Sequence, residues 1–197
     1  MVILDIGEFE SDFEDSCLTD YKFPHKQYKL ILADPPWSYN NKNTGGSLVS
    51  GASQKYLTMS LDEIKNLPIY DIAMNDSVLF LWATTPLLPE AFDVMKAWGY
   101  GYKTSVYWYK LPSLLSKAIS LGYWFRVQVE VCLVGIKGYV EPFRSQYRNM
   151  IVTKSEGHSR KPKELYEIIE TIPNVNPKIE LFARAKREGW DSWGNEI

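Results

Sequence analysis

Apolar residues fall in short runs along this chain, each bounded by a turn signal. Tyr28 to Ala33 (YKLILA) has the length of a buried strand and stops abruptly at Asp34-Pro35-Pro36. Ser77 to Ala83 (SVLFLWA) predicts a second buried strand, and Ser105 to Tyr109, Val127 to Lys137 and Lys178 to Ala183 three more. Helical signals lie between them. Ser60-Leu61-Asp62-Glu63 is a capping box opening a short helix towards Leu67. Pro86 to Trp98 predicts a helix closed by Gly99. Lys161 to Ile172 is amphipathic, with Pro162 near the first turn, where a missing N–H costs little. Strands alternating with helices predict an α/β sheet with helices on both faces, and ligands gather at the carboxyl ends of such strands. The loops after Ala33 and Ala183 stand at those ends.

Ser38 to Lys55 (SYNNKNTGGSLVSGASQK) is long, polar and rich in Asn, Gly and Ser, the character of a lid or binding loop rather than filler. A second loop surrounds 111–122. The length of 197 residues fits one domain, read here as 21–197 behind an acidic segment 1–20. With 45% hydrophobic and 23% charged residues, the chain can bury a sizeable core. Two cysteines, Cys17 and Cys132, are too few for a disulfide framework, and with two histidines they make no classical zinc site without many carboxylates. No apolar run approaches a membrane span, and the acidic N-terminus lacks the basic start of a signal peptide. A soluble, cytoplasmic protein without membrane partners is expected.

Charge is distributed unevenly. Residues 1–20 hold seven acids and no Lys or Arg, which leaves 17 acids against 22 basic residues in 21–197, a net of +5 there. An acidic end on a basic body suits a nucleic-acid binder whose tail guards its basic face; a plain solvated extension is the alternative.

The sharpest chemical signal is Asp34-Pro35-Pro36-Trp37. A proline disfavours helical geometry in the residue before it, so Asp34 and Pro35 are held extended. Two prolines also remove two backbone donors, which predicts carbonyls free of local competition. A carboxylate is acceptor-only, and the Pro35 carbonyl supplies a second acceptor close by. Two acceptors fit one NH₂ group, and Trp37 offers a flat surface for a base to stack on. Such a hook suits methylation of an aromatic exocyclic amine, whose lone pair is delocalised and poorly nucleophilic. Drawing both amine hydrogens towards fixed acceptors localises that lone pair and stabilises the developing charge. A rigid turn with a core tryptophan is the competing reading.

Six blocks in order carry a resemblance over about 28–196: ADPPW at 33–37, LFLWAT at 79–84, YWYK at 107–110, GYWFRVQVEVCLVGIKG at 122–138, HSRKPKELYEIIE at 158–170 and KIELFARAKREGWDSWGNE at 178–196. Together they resemble the N6-adenine methyltransferases typified by the catalytic subunit of the eukaryotic mRNA adenosine methyltransferase, and most of all the small prokaryotic and phage members. The resemblance implies a Rossmann-like, S-adenosylmethionine-dependent fold of permuted order, with the catalytic motif before the cofactor motifs. It implies catalytic roles for Asp34, Pro35, Pro36 and Trp37, with Asp34 also beside the cofactor. Lys161 is implied to approach the cofactor's carboxylate. Glu180, Arg184, Asn195 and Glu196 are implied around its ribose and adenine, with Glu196 and Lys186 departing from the usual residues. Trp124, Arg126 and Glu130 match a block near the target base. Arg126 and Glu130 also fall on one face if they share a strand, so an internal ion pair is equally open. A strand-edge glutamate is the alternative for Glu180, His158 reads as a solvated loop residue, and Cys132 as a buried small hydrophobe.

Residues 137–187 hold eleven Lys or Arg against six Glu. Arg144, Tyr147, Arg148, Lys154 and Arg160, in a stretch read as loop-rich, form a candidate phosphate track. Tyr39 and Asn40, on the polar loop beyond Trp37, are further candidate substrate contacts. An adenine in duplex DNA has to be flipped out to be reached. DNA is the favoured partner and RNA the close alternative, because the tetrapeptide reads the base edge and not the sugar. A homodimer or a partner subunit is expected by resemblance, and a silent nucleic-acid-binding subunit is disfavoured by the intact Asp34.

Overall fold

The computed structural model describes residues 22–38, 58–112, 124–144, 146–154 and 160–197. The acidic segment, Tyr39, Asn40, Cys17, His158 and nearly all of both predicted loops lie outside the described residues. Seven described strands form one sheet: β1 (Tyr28–Ala33), β2 (Ala73–Ala83), β3 (Gly101–Leu111), β4 (Val129–Lys137), β5 (Met150–Lys154), β6 (Lys178–Leu181) and β7 (Asp191–Trp193). Their order is β5-β3-β4-β2-β1-β6-β7. β1 pairs in parallel with β2 and β6, β6 with β7, and β3 with β5, whereas β4 runs antiparallel to both β2 and β3. One sheet edge therefore carries the C-terminal ends of six strands and the N-terminal end of β4.

Alternation along the central strands loads both faces. Ile31, Leu79, Leu81, Leu133 and Ile179 face one core, where Ile64 of α1 (Leu61–Lys65), Ile69 of α2 (Ile69–Ile72) and Val94 of α3 (Leu88–Ala97) are buried. Leu30, Leu32, Phe80, Trp82 and Val134 face the other, against Leu165 and Ile169 of α4 (Lys163–Glu170). Each such side chain stabilises the fold by about 1.5–3 kcal/mol on burial, so strands buried on both faces fix the middle of the sheet. Helices cover both faces, as the pattern predicts. No helix among the described residues is long and apolar enough to cross a membrane.

Several boundaries differ from the sequence reading. β2 begins at Ala73, four residues before the apolar run, because Asn75 and Asp76 are exposed at its outer end. The predicted 86–98 helix divides into a 3-10 turn at Thr85–Leu87 and then α3. Gly99 closes α3 at φ +83, a left-handed conformation in which a Cβ would also press on the Tyr70 ring. α4 starts only at Lys163, with Pro162 as its N-cap, so Lys161 precedes the helix. The stretch read as loop-rich contains β5, which puts Lys154 on an edge strand; of its five residues Ile151 alone is buried, too little for an apolar run to show.

Candidate active site

Asp34 stands one residue past the end of β1. Held extended by Pro35, it keeps the parity of Leu30 and Leu32 and so belongs to the α4 face of the sheet. The chain then turns. The Trp37 N–H donates to the Pro35 carbonyl at 2.8 Å, and the Met59 N–H donates to the Pro36 carbonyl at 3.0 Å. The expectation that these carbonyls lack local competition is thus corrected: the first donor after the two prolines folds back onto Pro35. A carbonyl has two lone pairs, so Pro35 keeps one accepting position. Trp37 crosses to the opposite core, 9% exposed, and its indole Nε1 donates to the Trp82 carbonyl at 3.0 Å. Only a small remnant of its surface is open, and its evident role is to pin the hook to the end of β2.

On the α4 face the sheet edge gathers four charges in alternating sign. Lys161 Nζ lies 2.8 Å from Asp34 Oδ2 and 3.2 Å from Glu130 Oε2. The other carboxylate oxygen of Glu130 accepts from Lys110 Nζ. Burial pushes the Asp34 carboxyl above its ordinary range, and Lys161 offsets only part of that. Burial alone would weaken the Lys161 ammonium, but Asp34 and Glu130 together hold it above the usual lysine range. Glu130, desolvated as well, is brought below the usual range by its two lysines. Of the two readings open for Arg126, the ion pair with Glu130 does not form: β4 starts at Val129, so Arg126 lies before the strand and is exposed.

A second group sits at the ends of β6 and β7. Glu180 Oε1 accepts from the Tyr166 hydroxyl at 2.7 Å, and burial raises the Glu180 carboxyl. The Arg187 guanidinium lies 3.7 Å from the Tyr166 ring centroid. Ser192 is the register neighbour of Glu180, and its buried Oγ has no partner among the described residues. Arg184 Nε is 3.6 Å from Glu196 Oε1, and Asn195 is exposed beside them. Gly194 packs so closely on β6 that a Cβ would come within 3.0 Å of Ala183 O, Ala183 N and Phe182 C. An acidic acceptor, an unpartnered hydroxyl and a bare backbone at one sheet edge fit a polyhydroxylated small molecule.

The sequence matches the MT-A70 family model across residues 28–196. The chain belongs to the MT-A70 family. It is 34% identical over 196 residues to the Type II methyltransferase M.MunI of Mycoplasma sp, covering 89% of this chain and 80% of that protein. It is 32% identical to the N(6)-adenosine-methyltransferase MT-A70-like protein of Arabidopsis thaliana, covering 86% of this chain and 24% of the relative. With the N(6)-adenosine-methyltransferase catalytic subunit METTL3 of Homo sapiens the identity is 29%, over 87% of this chain and 28% of that one.

In this MT-A70 chain the hook, Lys161, Glu180 and Arg184 converge at one sheet edge. The nucleic-acid candidates are dispersed by comparison. Trp124 is 92% exposed just ahead of β4, and Arg126 is exposed beside it. Arg148 is exposed before β5, and Arg160 is exposed next to Lys161. Sequence reasoning missed Lys110, Tyr166, Arg187 and Ser192. Tyr166 was within reach, since helical phase buries it with Leu165 and Ile169 and leaves its hydroxyl the one polar tip on that face.

Proposed function

We propose that this protein is an S-adenosylmethionine-dependent N6-adenine methyltransferase acting on DNA. The observation that carries the reading is the Asp34–Pro35 hook, a carboxylate and a carbonyl with spare accepting capacity on adjacent residues at the end of β1. Asp34 accepts one hydrogen of the adenine amine and the Pro35 carbonyl the other. The nitrogen lone pair is thereby turned out of conjugation, and Asp34 stabilises the positive charge that develops on nitrogen. Lys161 favours the ionised form of Asp34 in its desolvated position, and a protonated carboxyl would lose the acceptor-only character the hook needs. Trp37 acts by holding the hook, and its small exposed remainder forms part of the base's wall.

Lys161, Glu180, Arg184, Asn195 and Glu196 would hold S-adenosylmethionine, with Ser192 and Gly194 completing the seat. When bound, it supplies an electrophilic methyl group. The order β2-β1-β6-β7 supports a permuted Rossmann-like reading: β6 and β7 come last in the chain yet lie beside the catalytic strand. The match to most of the length of a Type II methyltransferase favours DNA, since the N(6)-adenosine-methyltransferases are matched over only about a quarter of theirs. RNA adenosine is the second reading, favoured by those same relatives. Trp124, Arg126, Arg148 and Arg160, with Tyr39 and Asn40, would grip the strand, in a cytoplasmic enzyme that pairs with itself or a partner subunit.

The test is methyl incorporation from labelled S-adenosylmethionine into matched DNA and RNA, single- and double-stranded, followed by nucleoside analysis. N6-methyl-deoxyadenosine from DNA, lost in Asp34→Asn with cofactor binding retained, is the expected result. Methyladenosine from RNA alone would reverse the substrate, and full turnover in Asp34→Asn would sink the role of the carboxylate.

A further inference from the structure

We infer that Lys110 and Glu130 are positioning residues that set how far Lys161 is committed to Asp34, and so tune the acceptor at the centre of the site. The chain of contacts runs across four elements. Lys110 lies at the end of β3, Glu130 at the start of β4, Lys161 ahead of α4, and Asp34 beyond β1. Lys110 is fixed from both sides of its backbone. Its N–H donates to the Gln128 carbonyl at 3.0 Å, and its own carbonyl accepts from Gln128 Nε2 at 3.1 Å. Its ammonium lies 4.8 Å from the Trp108 ring centroid, and that of Lys161 lies 5.4 Å from the Trp82 ring centroid. The two indoles pack edge to face at 6.3 Å, so both cations rest on a continuous aromatic floor. Water is largely excluded beneath them, which lengthens the reach of each charge.

Glu130 spends both oxygens on different lysines. What it gives to Lys110 it withholds from Lys161, and what it gives to Lys161 weakens the hold of Lys161 on Asp34. The remaining groups that influence Asp34 electrostatically or share its surroundings are Arg184, Glu180, Tyr166 and Cys132. Of these, Glu180, Tyr166 and Cys132 share no hydrogen bond or ion pair with Lys110 or Glu130 among the described residues. Removing the Lys110 charge lets Glu130 draw Lys161 towards itself, and Asp34 becomes easier to protonate. Removing the Glu130 charge has the opposite sign, because Lys161 then turns wholly to Asp34. Direct charge–charge action gives the same two signs, but only an exchange through Glu130 makes the Lys110→Met shift vanish in a Glu130→Gln background.

The inference rests on the adenine-methylation reading for its effect on turnover, but the relay itself can be read without substrate. The experiment is a ¹³C NMR titration of aspartate-labelled protein, with the Asp34 carboxyl assigned by its loss in Asp34→Asn. Lys110→Met is expected to raise the Asp34 midpoint by about one pH unit, the lower end of what a nearby charge does. Lys110→Arg should restore it, and Glu130→Gln should lower it. The acid limb of kcat on an adenine-containing oligonucleotide should move with each midpoint, while a merely structural loss would depress kcat evenly across pH. An unmoved midpoint in Lys110→Met, or a Lys110→Met shift that persists undiminished in the Glu130→Gln background, would overturn the relay. A Lys110→Met shift that vanishes in the Glu130→Gln background of a protein that methylates no adenine would keep the relay and remove the proposed function.

Discussion

The indole N–H of Trp37 donates to the main-chain carbonyl of Trp82 at 3.0 Å, joining the candidate catalytic hook to the end of the neighbouring strand. The two tryptophans serve opposite cores, Trp37 with α1–α3 and Trp82 with α4. Through this bond the hook is held from one face of the sheet while Asp34 works on the other.

Trp37→Phe keeps an aromatic ring in the core but removes that donor. A buried hydrogen bond of this kind contributes about 1 kcal/mol, and the smaller ring adds a packing loss. We expect lower stability in urea denaturation and a fall in kcat larger than any change in cofactor affinity. Unchanged kcat with lowered stability would show that the pin matters to the fold alone.

Glu180→Gln separates the cofactor seat from the fold. Burial raises the carboxyl of Glu180, so its contribution to stability is complete below the unfolded pKa and is lost as pH rises through the folded one. Glutamine carries no such term and can still accept from the Tyr166 hydroxyl. Thermal melts are expected to show the variant gaining on the wild type as pH rises above the ordinary glutamate range. Titration with S-adenosylmethionine should show weaker binding over the same range. A stability difference independent of pH would contradict the assigned desolvation.

Gly194→Ala places a methyl group against the backbone of Phe182 and Ala183, where no flexible side chain can give way. The Ala183 N–H donates to the Trp193 carbonyl at 3.0 Å, so separating these segments breaks that bond too. Overpacking of this kind costs about 1–3 kcal/mol. We predict a lower melting temperature together with loss of cofactor affinity, checked by calorimetry. Wild-type affinity in a folded variant would remove Asn195 and Glu196 from the seat.

Arg148→Glu tests the phosphate track. Each phosphate contact on duplex DNA contributes about 0.9 to the slope of log affinity against log salt. The charge reversal is expected to weaken DNA binding and flatten that slope by at least one contact, as read by fluorescence anisotropy across a salt series. An unchanged slope would take Arg148 off the track.

Much of the scaffold of the candidate site was legible before any tertiary contact was known. The apolar run 28–33 ending in two prolines fixes a strand with Asp34 at its tip, because proline geometry and burial are local properties. The capping box at Ser60 and the glycine stop at Gly99 form as read, for the same reason. The partners of these residues were not legible. Trp37 reads equally well as a stacking surface or a core residue, and only the packing of α1–α3 buries it. Glu130 reads equally well as a partner of Arg126 or as a residue near the target base, and strand β4 begins too late for the pairing. Lys110 and Lys161, distant in the chain, reach it instead because β3, β4 and the approach to α4 meet at one sheet edge. Sequence alone determined which groups could do the chemistry, since residue type, turn geometry and periodicity act over a few residues. The tertiary structure decided which charges share a counter-ion, because that depends on strand order and on the water excluded when the faces close.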